Sequence, residues 1–201
     1  MSTKTKSHER SLVLLKPDAV QRGLVGEIIA RFEKKSLKIT AMKMLWPDEK
    51  IASQHYDQPE HAARALGEKT LSTYKENGKE HPLSNDPMVI AKDIQRKLVR
   101  LMMAGPIVAM VIEGAHAIAH VRKIRGGTNP LTADVGTITG DFTIDSYFIA
   151  DDGARAIRNL AHASGSVDEA EHEIKIWFKE SEIMDYDLAI DQILYSKAWE
   201  E

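Results

Sequence analysis

The chain has 201 residues, enough for one domain with a proper core. Hydrophobic residues make up 43% and charged residues 28%, and the net charge is −3, so nothing in the balance points to nucleic acid or an anionic membrane. There is no cysteine, which excludes a disulfide framework and thiolate chemistry and fits a reducing compartment. No apolar stretch approaches the roughly 20 residues that span a bilayer, so a soluble, cytoplasmic protein is expected.

Residues 1–8 are polar, without an apolar run behind them, and read as a short disordered tail rather than a signal peptide. Leu12 to Leu15 is a short apolar run stopped at Lys16-Pro17-Asp18, and reads as a buried strand. From Gly23 to Lys35, Leu24, Val25, Ile28, Ile29 and Phe32 recur at helical spacing. Leu37 to Trp46 alternates, with Leu37, Ile39 and Ala41 on one side and Met42, Met44 and Trp46 on the other, so a second strand is expected. A short helix follows Pro47-Asp48 and runs to about Tyr56.

Residues 57–93 are polar and read as an inserted segment with one helix, about Glu60 to Glu76, and a turn-rich end. A helix over about Ala91 to Ala104 leads to Gly105-Pro106 and the most apolar run, Ile107 to Ile112, a strand buried on both faces. Ala115 to about Ile124 reads as helix, and residues 125–146, rich in glycine and threonine, as a long ordered loop of the kind that usually carries function. Helical segments are expected over Gly153 to Leu160 and from Val167 to about Glu173, the second opened by Ser166 with Glu169 as a capping box. Ile174 to Phe178 reads as a last short strand before an acidic helical tail. The order suggests an α+β, ferredoxin-like split βαβ fold: a four-stranded antiparallel sheet with helices on one face.

No glycine-rich phosphate loop of either common type is present, so any phosphate must be held by side chains. Lys16, Arg122, Arg125, Thr128 and Asn129 lie at element ends or in the long loop, and Lys16 ends a buried strand, where sites tend to form. Of the eight histidines, His8, His61 and His81 read as solvated, and His55 and His172 as helix-surface residues. His116 and His120 are four apart on one helix, but lack the glutamate of a zinc helix and an obvious third ligand, so no metal site is expected. His162 lies among small residues that leave room for a ligand.

Five segments, in order and spacing, resemble the nucleoside diphosphate kinase family. They are Glu9-Arg10 through Lys16-Pro17-Asp18 to Ile29, Gly105 to Val111, Gly127-Thr128-Asn129-Pro130, Gly136 to Phe142, and Asn159 to His162 with Ser164 and Ser166 to Glu173. The resemblance covers residues 9–201 as one domain, with the insert at about 57–93. It implies a ping-pong transfer of the γ-phosphoryl from a nucleoside triphosphate to a nucleoside diphosphate through a phosphohistidine at His162. By similarity, Glu173 orients His162 and Ser164 supports Glu173. Lys16, Arg122 and Thr128 hold phosphate, Asn159 and Lys16 reach the ribose, and Tyr56 lies beside His162. Mg2+ would arrive bound with the nucleotide, and a dimer-based tetramer or hexamer is implied. Four positions depart from the pattern: Ala19 stands where a glycine is usual, Thr139 where an arginine is usual and Gly165 where an aspartate is usual, and Ile94 falls where an aromatic residue would stack on the base. Arg125, three residues after Arg122, is the nearest candidate to replace the missing cation. The alternative is a weakly active member serving as a nucleotide-binding regulator or scaffold.

Overall fold

The computed structural model describes residues 7–196; residues 1–6 of the expected tail lie outside that range. In chain order the elements are β1 (His8–Leu15), α1 (Pro17–Gln21), α2 (Val25–Lys34), β2 (Lys38–Leu45), α3 (Glu49–Tyr56), α4 (Glu60–Glu76), α5 (Pro87–Met103), β3 (Ile107–Ala115), α6 (Ala117–Arg125), a 3-10 turn (Pro130–Thr132), α7 (Ile138–Phe142), α8 (Tyr147–Asp152), β4 (Ala161–Ala163), α9 (Val167–Trp177), a second 3-10 turn (Glu180–Glu182) and α10 (Asp191–Tyr195). The four strands form one antiparallel sheet in the order β2-β3-β1-β4, the expected ferredoxin-like arrangement.

The helices cover both faces of this sheet, not one. Alternation along a strand sends successive side chains to opposite sides. Val13, Leu15, Met110 and Ile112 pack with Ile28 and Phe32 of α2 and Val121 of α6. Leu12, Leu14, Ala109 and Val111 pack with Ala52 of α3, Met102 of α5 and Ile174 and Trp177 of α9. This explains why β1 and β3 read as continuous apolar runs. On β2, a bulge between Ile39 and Ala41 reverses the parity. Leu37 and Ile39 therefore join the first core and Ala41 the second, rather than sharing a side.

The expected strand at Ile174 to Phe178 is the end of α9: Ala170, Glu173, Ile174 and Trp177 form one buried helical face. The fourth strand is Ala161–Ala163 instead, so short that its pairing with β1 alone defines it. Helix α8 lies earlier than the expected Gly153 to Leu160, because the Ser146 hydroxyl caps it by accepting from Ile149 N. Helix α5 begins at Pro87, where Asp86 accepts from Met88 N. His8 belongs to β1, opposite Ala115 and 3.5 Å from Glu113, not to a solvated tail. His81 is also buried: it stacks edge-on against Tyr74, whose hydroxyl donates to Asp151 at the end of α8. The Lys97 ammonium of α5 bridges Asp93 and the same Asp151, so the inserted segment is docked by a shared polar cluster.

Candidate active site

Register decides where His162 points. It pairs with Leu14, while Ala161 and Ala163 pair with Leu15 and Val13. Ala161 and Ala163 enter the core under α2 and α6, which turns His162 to the opposite face, toward α3 and α9. The residue before this strand, Leu160, is fully buried with φ 68°, a left-handed conformation that costs a branched residue about 1–3 kcal/mol. Two bonds hold it there: Lys16 N donates to Leu160 O at 2.8 Å, and Leu160 N donates to Asp18 Oδ2 at 3.1 Å. The end of β1 is thereby clamped beside the histidine strand.

His162 Nε2 lies 2.8 Å from Glu173 Oε1. The carboxylate oxygen sits off the ring N–H axis, so Nε2 is close to its partner without a formed hydrogen bond. The other carboxylate oxygen accepts from Ser164 Oγ at 2.6 Å, and that hydroxyl itself accepts from Leu12 N at 3.1 Å. Burial raises the Glu173 carboxyl above its ordinary range. Burial first, then Lys16, Arg125 and Arg122, pushes the His162 imidazole down to about 3. The ring is therefore neutral near pH 7, with a free nitrogen lone pair.

His55 is the residue that sequence reading missed. It is not on a helix surface but buried, its ring 4.5 Å from that of His162 at 88° and 4.7 Å from Tyr56. Trp177 Nε1 donates to His55 Nδ1 at 3.3 Å, which places the His55 proton on Nε2. Burial, followed by His162, pushes this imidazole down to about 3 as well. The signal was the face of α3: Ala52, His55 and Tyr56 recur at three and four residues, the spacing of a buried stripe. The Tyr56 hydroxyl is buried with no hydrogen-bond partner, and burial raises its pKa. His55, His162 and Glu173 are close enough to suggest a metal cluster, the one such group among the described residues. Trp177 and Ser164 already engage two of the three, so the arrangement is a hydrogen-bonded network. His116 and His120 acquire no third ligand among the described residues.

On the other side of His162 stands a row of cations and amides. Lys16 Nζ donates to Asn159 Oδ1 at 2.7 Å, and Asn159 Nδ2 donates to Thr128 O at 2.7 Å. Arg125 Nη2 reaches Thr128 Oγ1 at 3.3 Å. Arg122 is exposed and approaches Gly165. Lys16 is 4% exposed, and burial lowers its pKa to about 8, with Arg125 adding to the fall and Asp18 opposing it. Lys16, Tyr56, Arg122, Thr128, Asn159, Ser164 and Glu173 thus converge around His162. The two remaining expected residues are Thr139 and Ile94. Thr139 is wholly buried in α7 with an unpartnered hydroxyl. Ile94 is half-buried on α5, and its neighbour Gln95 donates to Tyr56 O at 3.0 Å.

A neutral imidazole backed by a carboxylate and faced by cations is the layout of a nucleophile for a phosphorylated substrate. The family model described as nucleoside diphosphate kinase matches residues 9–77 and 88–183. Relatives of that name include one from Pyrobaculum aerophilum, 46% identical over 180 residues, spanning 88% of this chain and 98% of the relative. Another, from Methanobrevibacter smithii, is 39% identical over 187 residues, spanning 93% and 98%. The solved Pyrobaculum aerophilum NDP kinase superposes with a TM-score of 0.84 at 43% identity, covering 89% of this chain and all of that one. A Borrelia burgdorferi enzyme, solved as a transition-state mimic with vanadate and ADP, gives 0.77 at 31% identity, covering 96% and 99%. By model, relatives and fold, the chain belongs to the nucleoside diphosphate kinase family.

Proposed function

We propose that His162 carries the phosphoryl group between nucleotides, and that residues 9–201 act as one catalytic domain. The observation that carries this is the neutral His162 ring held between Glu173 and the cations Lys16, Arg122 and Arg125. With Nε2 turned to Glu173, the Nδ1 edge is left to the opening, and the side chain is 19% exposed. In the first half-reaction the Nδ1 lone pair attacks the γ-phosphorus of a nucleoside triphosphate. An N–P bond forms, the bond from γ-phosphorus to the bridging oxygen breaks, and the diphosphate leaves with that electron pair. The second half-reaction is the reverse, onto a different diphosphate. The ring becomes more positive as the N–P bond forms, and Glu173, fixed by Ser164, accepts from Nε2–H more strongly at that point.

Lys16, Arg122 and Thr128 hold phosphate oxygens in this reading. Asn159, at 1% exposure with both amide atoms engaged, positions Lys16 and the Thr128 loop, so the ribose contact falls chiefly to Lys16. The orphaned Tyr56 hydroxyl donates to substrate, and Ile94 offers the base an aliphatic surface. The cationic, amide-rich row contains no carboxylate cage and fits a magnesium ion held by the nucleotide's own phosphates. Mg2+ would neutralise charge on the phosphate chain.

Among the described residues, no helix is long and apolar enough to cross a membrane; together with the lack of cysteine, this supports action in the cytoplasm. Two separate apolar exposures favour a dimer that assembles further. Met42 and Met44 on the edge strand β2 and Trp46 just past its end are 56, 61 and 66% exposed, and Val135 and Ile144 in the long loop are 93 and 96% exposed. Light scattering on the native protein reads the assembly directly, and a monomer would refute it. The chemistry is tested by incubation with γ-labelled ATP. Wild type takes up one acid-labile, base-stable label and passes it to GDP, and His162→Ala takes up none. Stoichiometric label on His162→Ala would overturn the assignment.

A further inference from the structure

Arg125 is a buried charge without a counter-charge. Its residue is 7% exposed, its Nε is buried with no hydrogen-bond partner, and no carboxylate lies within ion-pair distance among the described residues. Its side-chain hydrogen bond, from Nη2 to Thr128 Oγ1, is 3.3 Å long and neutral. A guanidinium in that position is unfavourable in the free protein, because burying an unpaired charge is among the costlier things a fold can do. Burial, then the like charge of Arg122, lowers its pKa.

The bland explanation is that a cation at the last turn of a helix satisfies the helix dipole. Arg122 and Lys123 on the same turn already do this from exposed positions, and a dipole does not require burial. What Arg125 does have is an address. Through Thr128 it joins the row that runs to Asn159 and Lys16, and its charge is felt at both His162 and Lys16. Lys16 is equally buried and equally without a carboxylate in ion-pair range among the described residues. Two buried cations and an exposed third, gathered beside one imidazole, are complemented by a multiply charged anion.

We propose that Arg125 is a phosphate-binding residue, donating from Nε and an Nη nitrogen to an oxygen of the nucleotide's phosphate chain beside Thr128. The proposal rests on the reading of His162 as the phosphoryl carrier. It also gives the neutral Thr139, buried in α7, a counterpart: the cation reaches the phosphates from α6. Planar two-point donation to phosphate oxygens is what arginine does and lysine or glutamine does not.

The experiment measures ADP and adenosine affinity for wild type, Arg125→Lys and Arg125→Gln. A charged hydrogen bond is worth about 1.5–3 kcal/mol, so Arg125→Gln should weaken ADP by about ten- to a hundredfold, and Arg125→Lys by less. Adenosine affinity should not change, and the melting temperature of the free protein should hold or rise as the unpaired charge is removed. In the wild type, the Arg125 Nε–H resonance should shift on adding ADP and stay in place on adding adenosine, a readout that needs no variant to fold. Unchanged ADP affinity in Arg125→Gln, equal losses for ADP and adenosine, or an Nε–H resonance indifferent to ADP would each overturn the proposal. Labelling of His162 by γ-labelled ATP at saturation is read alongside. If wild type itself takes no label, the carrier reading has failed rather than the assignment of Arg125.

Discussion

Replacing Glu173 with glutamine separates orientation from charge at the His162 ring. The amide oxygen can still face Nε2, which lies 2.8 Å from Oε1 in the native chain. The amide nitrogen then meets Ser164 Oγ, which can accept from it while turning its own proton to Leu12 O, 3.4 Å away. No polar atom is stranded. What is lost is the negative charge opposite a ring that becomes positive during transfer. A hydrogen bond to a charged group contributes about 1.5–3 kcal/mol against about 1 kcal/mol for a neutral one, so the deficit is about 0.5–2 kcal/mol. At about 1.4 kcal/mol per decade, Glu173→Gln should phosphorylate about two- to thirtyfold more slowly. The loss should fall on kcat and kcat/KM alike, because the charge matters only in the transition state. Stability should move the other way. Burial raises the Glu173 pKa, so its contribution to stability is present below the unfolded value and lost as pH rises through the folded one. The ionised carboxylate is the form that burial disfavours, and a neutral amide relieves that. Single-turnover quench-flow with γ-labelled ATP, paired with thermal melts, is the assay. A transfer rate within twofold of wild type would refute the charge argument, and a collapse in melting temperature would show that Glu173 holds the fold instead.

The pH profile should report Lys16. Burial brings its pKa to about 8, so the ammonium that meets phosphate is lost as pH rises through that value. The free-enzyme parameter kcat/KM should therefore fall above about pH 8, and Lys16→Arg should abolish that limb; a flat profile to pH 10 would contradict it. At Gly67 of α4, an added Cβ would meet Pro87 O at 2.0 Å, so Gly67→Ala must push α4 off α5 and should destabilise by about 1–3 kcal/mol in denaturant melts, leaving His162 labelling intact once folded.

The sequence displayed the sheet's interior strands and the long helices because both are set by local pattern. The buried runs at Leu12 to Leu15 and Ile107 to Ile112 and the stripe of α2 needed no tertiary context. β4 could not be read that way. Ala-His-Ala has neither β-propensity nor alternation, and it is a strand only because β1 offers it an edge. The apolar Ile174 to Phe178 took its place in the count, although helical spacing through Ala170 and Glu173 was there to be read. In the site, the resemblance reached Lys16, Glu173 and Ser164, which the structure gathers around His162. His55 was passed over because a histidine on a mixed helix resembles a surface residue until α9 packs on it. Arg125's burial depends on how the end of α6 meets the Thr128 loop, which no local pattern encodes.

The three-residue strand also bears on how the chain is made. β1 ends in a fully buried apolar run, and its outer edge from Val13 to Leu15 is covered by residues 161–163, while Ser164 meets Leu12 across a separation of 152 residues. During synthesis that edge emerges early and waits for most of the chain to follow. A ribosome stalled, or a message truncated, before codon 161 would release a chain whose β1 presents open backbone donors and acceptors flanked by leucines, a template for association with other strands. Incomplete copies of this protein should therefore be found in aggregates or held by chaperones, and the last fifth of the chain serves as the seal on its first strand.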